Sequence, residues 1–551
     1  MKLPQLVLFM ILLVGSNQIA EAQLLKNQKQ FTRQDSLRGS ITPERAWWDL
    51  KYYDLDVTVK PADKFIFGSN EITYEVLEPY QVLQIDLQEP MKIVNATQNN
   101  RELEVKQEGN AHFIQLVDPQ IVGVTNRVKI TFEGTPREAK NAPWDGGFIF
   151  SKDSDDKPFI GVAVQGTGAS LWYPNKDHQS DEPESVDIKV SVPNGLMNVS
   201  NGRLIAETAL EDGYTQWHWR VEHSINNYNI TLNIADYVHF EDQYNELSLD
   251  YYVLKGNLDK AKQQFQQVHP MMDCFYEKFG DYPFQKDGFK LVETPYLGME
   301  HQSAVAYGNG YQNGYLGTDL SKTGIGLKWD FIIIHESAHE WFGNSVSAAD
   351  IADMWIHESF TAYAESVFVE CEFGKKEAIR YLYGLRDIIA NDRPIIGKYG
   401  VNHEGSGDMY YKGANMLNTL RSVIDNDEKW WSLLKEFHKT FKYQTIHAND
   451  VINFYNSRTE LNLKPIFDQY LNYISIPELQ LKFDKNKTLY LRWKTDVENF
   501  KMPIDFQNVE EGHLSRALID KKWKKIEVEL EDLGDLAINE YGYYITIIQV
   551  K

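Results

Sequence analysis

Cysteine is scarce in this chain: its 551 residues include only two, Cys274 and Cys371. Two cysteines are too few for a fold held together by a disulfide framework, and too few for a cysteine-ligated zinc ribbon. Any metal site must therefore use histidine and carboxylate side chains. The sequence does not determine whether the two cysteines pair, and buried free thiols are the expected state.

Basic residues are also in deficit, with 56 Lys+Arg against 79 Asp+Glu and a formal net charge of −23. A nucleic-acid-binding protein normally carries a basic surface that neutralises phosphates, so this class is excluded. Disorder over most of the chain is excluded as well, because 42% of the residues are hydrophobic and 13% are aromatic. The length predicts about three to four domains.

Long hydrophobic runs are missing too. The apolar run at the N-terminus, Leu6 to Val14, has nine residues, whereas a membrane-spanning helix needs roughly 20. Lys2 precedes this run, and an A-x-A cleavage site at residues 20–22 follows it. This pattern predicts a signal peptide over residues 1–22 and a mature chain that begins at Gln23. We therefore expect an exported protein, periplasmic or secreted, with no membrane span after signal removal.

The remaining chain divides into segments of different hydrophobic pattern. Residues 23–40 are polar and aperiodic, which predicts a linker or a loosely docked arm. Residues 41–240 mostly alternate between apolar and polar positions, which predicts an N-terminal β domain. Residues 241–476 show helical spacing, and residues 477–551 return to alternation as a small C-terminal β domain. The fold class is therefore α+β with several domains.

An H-E-x-x-H motif occupies residues 335–339, directly after a mostly apolar stretch that predicts a buried helix. Residues four positions apart share one face of a helix, so the imidazoles of His335 and His339 can bind the same metal ion. Glu336 projects close to that ion and can accept a proton from the attacking water.

A candidate third ligand, Glu358, follows with eighteen residues between it and His339. It lies at the start of a second predicted helix that would pack against the first. Two histidines and one carboxylate leave a fourth position open, which is typical of catalytic rather than structural zinc sites. We predict one Zn²⁺ ion. Glu365, two turns beyond Glu358, is either a residue that orients a zinc-bound histidine or a solvated acid.

A second motif precedes these residues at positions 295–301, with the sequence P-Y-L-G-M-E-H. Together with H-E-x-x-H and the spacing to Glu358, it resembles the gluzincin aminopeptidases of peptidase family M1, which include aminopeptidase N and the bifunctional leukotriene hydrolase. The segment is similar to the G-x-M-E-N motif of that family, with His301 in place of the usual asparagine.

The resemblance implies substrate-binding roles for this segment. Glu300 would bind the free α-amine of the substrate, and the backbone of Gly298 and Met299 would align the peptide as an added strand. A carboxylate fixed beside the zinc would pair with an N-terminal ammonium group and set its distance to the first peptide bond. Tyr296 would line the pocket for the first side chain.

Two further segments carry the resemblance. Tyr410-Tyr411-Lys412-Gly413 is similar to the Y-x-K-G segment of the family. It implies that the Tyr410 hydroxyl stabilises the tetrahedral intermediate, with Tyr411 as the neighbouring alternative. Gln165 resembles a substrate-binding glutamine at the inner edge of the β domain of the family.

The fold implied by the resemblance has a saddle-like N-terminal β domain followed by a thermolysin-like, mainly helical catalytic domain. Larger members of the family continue into a large helical domain that closes over the cleft. In this sequence the residues after 476 predict only a small β domain, so the degree of cleft closure stays open.

Taken together, these residues predict a zinc-dependent aminopeptidase that acts on peptides with a free N-terminus and uses Glu336 as general base. One alternative is a secreted zinc endopeptidase, for which a blocked N-terminus makes no difference. Epoxide hydrolysis is less expected, because the additional Asp and Tyr of the bifunctional family member correspond here to Asn402 and Gly405. A non-enzymatic binding protein is disfavoured by the retained Glu336 and metal ligands. The oligomeric state is not determined.

Overall fold

The computed structural model describes residues 30–509, 512 and 514–550. The predicted signal peptide and residues 23–29 lie outside this range, so export stays a prediction. Within the described range, no helix combines the length and the apolar character that a membrane span requires.

The N-terminal β domain is built mainly on an eight-stranded sheet with the order β13-β14-β11-β1-β2-β8-β4-β5. A four-stranded sheet (β12-β15-β10-β9) and a three-stranded sheet (β3-β7-β6) complete the described part of this domain. The strands are β1 Trp48–Lys60, β2 Phe65–Val76, β3 Val82–Asp86, β4 Lys92–Gln98, β5 Arg101–Glu102, β6 Glu104–Glu108, β7 Ala111–Gln115, β8 Thr125–Gly134, β9 Gly147–Lys152, β10 Pro158–Ala163, β11 Ser185–Pro193, β12 Met197–Val199, β13 Arg203–Ala209, β14 Tyr214–Val221 and β15 Asn233–Ala235.

Alternating hydrophobicity explains why one face of the eight-stranded sheet is buried. Along β1, buried and partly exposed residues alternate over most of the strand, because successive side chains point to opposite faces of a sheet. Leu55, Val57 and Val59 are fully buried on one face. β1 pairs with β2 in antiparallel register and with β11 in parallel register, so it lies at the centre of the sheet.

Residues 30–40 are the described part of the segment predicted as a linker or a loosely docked arm, and they include a short helix. Arg33–Gly39 forms helix α1, whose N-terminus carries a capping box between Thr32 and Asp35. Arg38 ties the helix to the β domain by an ion pair of 2.7 Å to Asp177 and a hydrogen bond of 3.0 Å to the carbonyl of Thr167. The polar composition that suggested a linker belongs to a short helix held by these contacts. Helix α2, Pro43–Ala46, follows it.

The second region contains a five-stranded sheet and most of the helices. The sheet has the order β16-β17-β18-β20-β19, and a separate pair is formed by β21 and β22. These strands are β16 Tyr237–Tyr244, β17 Leu247–Leu254, β18 Phe289–Glu293, β19 Gly298–Met299, β20 Val305–Tyr307, β21 Val346–Ala348 and β22 Gln444–Ile446. Because β16 belongs to this sheet, the region begins at Tyr237, and the predicted boundary at residues 240/241 falls inside that strand.

The helices of this region share one large hydrophobic core with the five-stranded sheet and with the C-terminal strands. They are α3 Leu258–Gln264, α4 Val268–Phe279, α5 Phe331–Ala338, α6 Trp355–Phe373, α7 Lys375–Gly384, α8 Tyr411–Ile424, α9 Asp427–Phe441, α10 Ala448–Arg458 and α11 Lys464–Asn472. All residues of α6 from Trp355 to Val369 are buried, so this helix passes through the centre of the region.

The C-terminal domain consists of two small sheets with the orders β27-β24-β23-β29 and β26-β25-β28. Its strands are β23 Glu478–Phe483, β24 Leu489–Lys494, β25 Met502–Asn508, β26 Leu514–Ile519, β27 Lys524–Ile526, β28 Leu536–Ile538 and β29 Thr546–Gln549. It contacts the second region through Arg516, which donates hydrogen bonds to the carbonyls of Ser422 and Val423 at the end of α8.

A disulfide joins Cys274 to Cys371, which corrects the expectation of free thiols. The two cysteines lie in α4 and α6 and are separated by 97 positions in the sequence. The bond therefore links α4 to the helix that carries Glu358.

Removing this bond is expected to destabilise the fold. A cross-link across a long loop restricts the unfolded chain, and its loss typically costs about 2–4 kcal/mol. We expect Cys274→Ala/Cys371→Ala to lower the free energy of unfolding by about that amount in urea titration, and reduction of the unmodified protein to give a similar loss. Equal stability of the double variant and the unmodified protein would contradict this expectation.

Candidate metal centre and active site

Helix α5 carries the H-E-x-x-H residues and is buried along its whole length. Its N-terminus is capped by Asp330, whose carboxylate accepts hydrogen bonds from the backbone amides of Ile332 and Ile333. The cap satisfies amides that have no partner within the helix. It fixes where the helix begins, and hence which face presents His335 and His339.

Helix α6 brings Glu358 to that face. Glu358 Oε2 lies 3.7 Å from His335 Nε2 and 3.5 Å from His339 Nε2. The ligand atoms of these three residues all lie within 4.8 Å of one another. Glu358 Oε2 is buried and has no hydrogen-bond partner among the residues that the structure describes. This state is costly unless a cation or donor occupies the space in front of the atom. The three side chains therefore fit a metal ion.

The second nitrogen of each imidazole is held by an acceptor. His335 Nδ1 donates to Glu365 Oε1 over 2.7 Å, and His339 Nδ1 donates to the Phe342 carbonyl over 3.0 Å. A carboxylate and a carbonyl can only accept in these pairs, so the proton lies on Nδ1 and the lone pair on Nε2 faces the site. This donor set of two neutral histidines and one carboxylate suits zinc.

The approach of the chain to His339 requires a glycine. Gly343 has a φ of +128°, and a Cβ atom at this position would lie 2.9 Å from His339 Nδ1. A side chain here would therefore be strained and would crowd the imidazole.

The electrostatics of the cleft follow from buried carboxylates beside imidazoles. Burial raises the pKa of Glu336 to about 7, with the neighbouring histidines opposing and Glu300 and Glu358 adding to the rise. Burial also acts to raise the pKa of Glu358, but His339 and His335 outweigh it and hold that pKa well below its usual range. The pKa values of Glu336 and Glu358 thus shift in opposite directions. Such a pair usually consists of one group that exchanges a proton and one group that stays charged.

Glu300 lies beside this centre in a network of donors. Its carboxylate accepts hydrogen bonds from Gln165 Nε2 at 2.5 Å and from the Tyr228 hydroxyl at 3.0 Å. Gln165 also donates to Glu358 over 3.2 Å, and Asn344 holds the backbone carbonyl of Glu300 over 2.8 Å. The structure therefore brings Gln165, from the β domain, together with Glu300 and the candidate zinc ligand Glu358.

Gly298 and Met299 form β19, the edge strand of the five-stranded sheet. An edge strand has unpaired amide and carbonyl groups, which can pair with an extended peptide. A Cβ atom on Gly298 would lie 2.8 Å from the side chain of Ile332 and 3.1 Å from Glu336 Oε1. Glycine is thus needed here for the strand to lie against α5.

Tyr410 lies against the candidate metal ligand His335. Its ring stacks on His335 with centroids 5.8 Å apart and planes inclined by 17°. Burial raises the pKa of Tyr410 well above its usual value, and the charges of Glu358 and Glu300 add to the rise. The hydroxyl therefore stays protonated and can donate. Tyr411 also lines the cleft, so the structure keeps both tyrosines near the metal centre.

These residues line one cleft of about 840 Å³ between the β domain and the second region. Its walls include the two histidines, Glu336, Glu358, Glu300, Gly298, Met299, Gln165 and both tyrosines. Nearly all of the predicted site residues thus share one cavity. A volume of this size is large enough for a peptide segment.

Comparison with known proteins identifies the family of the helical part of the chain. Residues 263–470 match the model of the Peptidase family M1 domain. This part of the chain is a peptidase family M1 domain. The family predicted from the motifs is thereby confirmed.

Several known proteins are similar to the chain. The leucyl aminopeptidase of Saccharolobus solfataricus is 22% identical over 476 residues, which cover 82% of this chain and 58% of the relative. Human aminopeptidase B is 31% identical over 164 residues, covering 26% of this chain and 25% of the relative. The chain spans about half the length of the curated relatives it matches, with 58% and 52% for two of them.

A solved structure also resembles the chain. An M1 zinc metallopeptidase from Deinococcus radiodurans superposes with a TM-score of 0.65 at 19% identity, covering 80% of this chain and 97% of that one. At this identity the likeness concerns the fold. It confirms the predicted α+β multidomain architecture, in which an N-terminal β domain precedes the helical M1 domain.

Tyr296 is a predicted site residue that packs against the β domain, and its role at the first side chain of the substrate stays a prediction. Its ring packs against Gly161, where a Cβ atom would lie 2.9 Å from the ring, and its hydroxyl donates to the Val162 carbonyl over 3.3 Å. Tyr296 belongs to the hydrophobic core of the β domain, so it holds the motif segment of the M1 domain against that domain.

Several cleft or site residues lie outside the sequence motifs. Tyr228 contacts Glu300 from the β domain, and Trp144 lies at the cleft wall with 66% of its surface exposed. Arg393 and Glu404 line the cleft from the segment before α8. No local spacing in one sequence marks these residues, because only the folded chain brings them to the M1 site.

Glu365 is the acid for which the sequence left two interpretations, and the structure selects between them. It is fully buried, holds His335 Nδ1, and accepts a hydrogen bond of 2.7 Å from the Tyr381 hydroxyl. A solvated acid is therefore excluded. Its carboxylate fixes the orientation of the His335 ring.

Glu365→Gln is expected to weaken zinc binding about 10- to 100-fold, because carboxylate partners of metal-binding histidines contribute by that amount. Competition with a chromogenic chelator measures the affinity. The matched control is Glu372→Gln, which removes an exposed acid from the same helix. If Glu365→Gln binds zinc as tightly as this control, Glu365 does not support the metal site.

Proposed function

We propose that the protein is a zinc-dependent aminopeptidase that removes the N-terminal residue from peptides. One observation carries the proposal: the carboxylate of Glu300 lies at the metal centre, with its ligand atom within 4.8 Å of those of Glu336 and His339. A fixed anion at this distance suits a free N-terminal ammonium group one residue away from the bond to be cleaved.

The zinc ion would be bound by His335, His339 and Glu358, because their ligand atoms lie close enough together to contact one ion. Zinc bound at such a site lowers the pKa of a water molecule and polarises a carbonyl oxygen. The donor set leaves space for water and substrate on the side that faces the cleft, the arrangement expected of a catalytic site.

Glu300 would bind the ammonium group of the substrate, held in place by Gln165 and Tyr228. Both residues donate to Glu300 in the structure, so its carboxylate is orientated before the substrate arrives. Preorganised charge of this kind avoids reorganisation on binding. The edge strand β19 would pair with the peptide backbone and direct the first peptide bond towards Glu336.

Glu336 would take a proton from the attacking water and deliver it to the leaving amine. A pKa raised by burial suits a group that must accept and release a proton near neutral pH. The Tyr410 hydroxyl would donate a hydrogen bond to the oxygen on which negative charge develops. Glu300 would pair with the substrate ammonium group and take no part in this proton transfer, so the two carboxylates have separate tasks.

The names of the similar proteins support this proposal. Curated relatives include a leucyl aminopeptidase and two aminopeptidases from Saccharolobus and Sulfurisphaera described as probable. The structural neighbours are M1 zinc metallopeptidases. Such names apply to those proteins, and they favour the same reaction class here.

A pair of substrates tests the proposal directly. The protein should hydrolyse an aminoacyl anilide and leave its N-acetylated form intact, because acetylation removes the charge that Glu300 would bind. Chelation should abolish the hydrolysis and added zinc should restore it. Equal rates on the free and acetylated anilides would refute the aminopeptidase and support the endopeptidase.

A further inference from the structure

Glu404 is a charged group of the cleft that the proposed reaction does not use. It lies in the segment that precedes α8 and lines the same cavity as the metal centre. The residue is exposed, and its Oε2 lies 3.9 Å from the point where a side chain on Gly166 would begin. Its carboxylate therefore faces the β-domain wall of the cleft beside Gly166.

Glu404 also lacks a partner. In the part of the chain that the structure describes, its carboxylate takes part in no hydrogen bond or ion pair, whereas Glu300 and Glu358 have the partners given above. Arg393 is a cation of the same wall, but it donates to the Gly405 carbonyl over 3.2 Å and its Nε lies 4.0 Å from Asp392. The negative charge of Glu404 is thus left without an ion pair.

Glu404 lies near the place where the first residue of a bound peptide would be. Gly166 directly follows Gln165, which donates to Glu300 and Glu358 at the predicted ammonium site. Glu404 therefore lies at the end of the cleft that receives the first residue. The substrate ammonium group already has Glu300 as its anion. The backbone of the substrate offers no second positive charge that could pair with Glu404.

An unpaired carboxylate on the wall of the cleft is stabilised by an incoming cation, because opposite charges attract. A lysine or arginine side chain on the first residue supplies a cation on a flexible stem long enough to reach beyond the ammonium site.

We propose that Glu404 is a specificity-determining residue that pairs with a cationic side chain on the first residue of the substrate. The enzyme would accordingly prefer peptides that begin with lysine or arginine. This inference rests on the proposed aminopeptidase function and adds the substrate class to it.

Lysyl and norleucyl anilides separate charge from size, because norleucine has the lysine stem without the ammonium group. We expect the unmodified protein to favour the lysyl anilide in kcat/KM by about fivefold, because an ion pair with an exposed carboxylate contributes modestly. Glu404→Gln should remove this preference and leave the norleucyl rate within about twofold. Glu211→Gln, at an exposed turn of the β domain, is the control and should retain the preference.

Two outcomes would overturn the inference. One is an unchanged lysyl preference in Glu404→Gln, and the other is an equal loss on both substrates, which would place Glu404 at the ammonium group or in the scaffold. If no free aminoacyl anilide is hydrolysed, the proposed function fails instead. Calorimetric binding of lysine amide and norleucine amide then tests Glu404 separately: tighter lysine amide binding that Glu404→Gln abolishes supports the inference, and equal binding of the two amides overturns it.

Discussion

Glu336→Gln is expected to lower kcat by about a thousandfold while the protein keeps its fold and its zinc. General acid–base groups typically contribute 10²- to 10⁴-fold. Glutamine has the shape of glutamate but cannot accept a proton, and Glu336 is not one of the three predicted ligands. The change therefore removes only the proton transfer. Steady-state kinetics on an aminoacyl anilide and the zinc content of the purified variant measure both parts.

The zinc measurement is the control for this variant. If Glu336→Gln loses zinc as well as activity, the loss cannot be assigned to proton transfer. Full activity with zinc retained would refute Glu336 as the general base. Glu358→Gln serves as the contrasting variant, because a change in a predicted ligand should reduce the zinc content itself.

Glu300→Gln is expected to reduce kcat/KM on unblocked substrates by about a hundredfold. Removing one member of a buried ion pair typically costs 2–5 kcal/mol, and the substrate ammonium would lose its anion. KM should rise, and the discrimination between the free and the N-acetylated anilide should shrink. The same pair of anilides measures the effect.

Tyr228→Phe is the matched control for Glu300. It deletes one hydrogen bond to the carboxylate and keeps the charge, so we expect a loss of about tenfold or less. If Glu300→Gln discriminates as strongly as the unmodified protein, Glu300 does not bind the ammonium group. A larger loss in Tyr228→Phe than in Glu300→Gln would also contradict the assignment.

Periodic patterns explain why much of the fold was predictable. The alternation along β1 arises because one face of the sheet is buried. The apolar run before the H-E-x-x-H motif likewise became a buried helix. Such patterns depend on local periodicity and burial, which one sequence displays directly.

Other parts of the fold depended on contacts between distant residues. Helix α1 is too short and too polar to show a clear period, and its contacts to Asp177 and Thr167 lie far along the chain. Whether Cys274 and Cys371 pair depends on the packing of α4 against α6. Neither outcome is encoded in local spacing.

The candidate site divides in the same way. His335, His339 and Glu358 follow from spacing on two helices, and the structure brings them together. Motif position did not determine where a side chain points, so Tyr296, next to the substrate-binding segment, lies in the core of the β domain. Tyr228 and Glu404 reach the site from segments without a recognisable motif.

An aminopeptidase removes residues singly from a free N-terminus. Mass spectrometry of a peptide of about ten residues and of its N-acetylated form, sampled during digestion, follows this removal step by step. We expect a series of fragments from the free peptide, each shorter by one N-terminal residue, and an intact acetylated peptide. Internal fragments, or equal digestion of the two peptides, would refute the aminopeptidase activity.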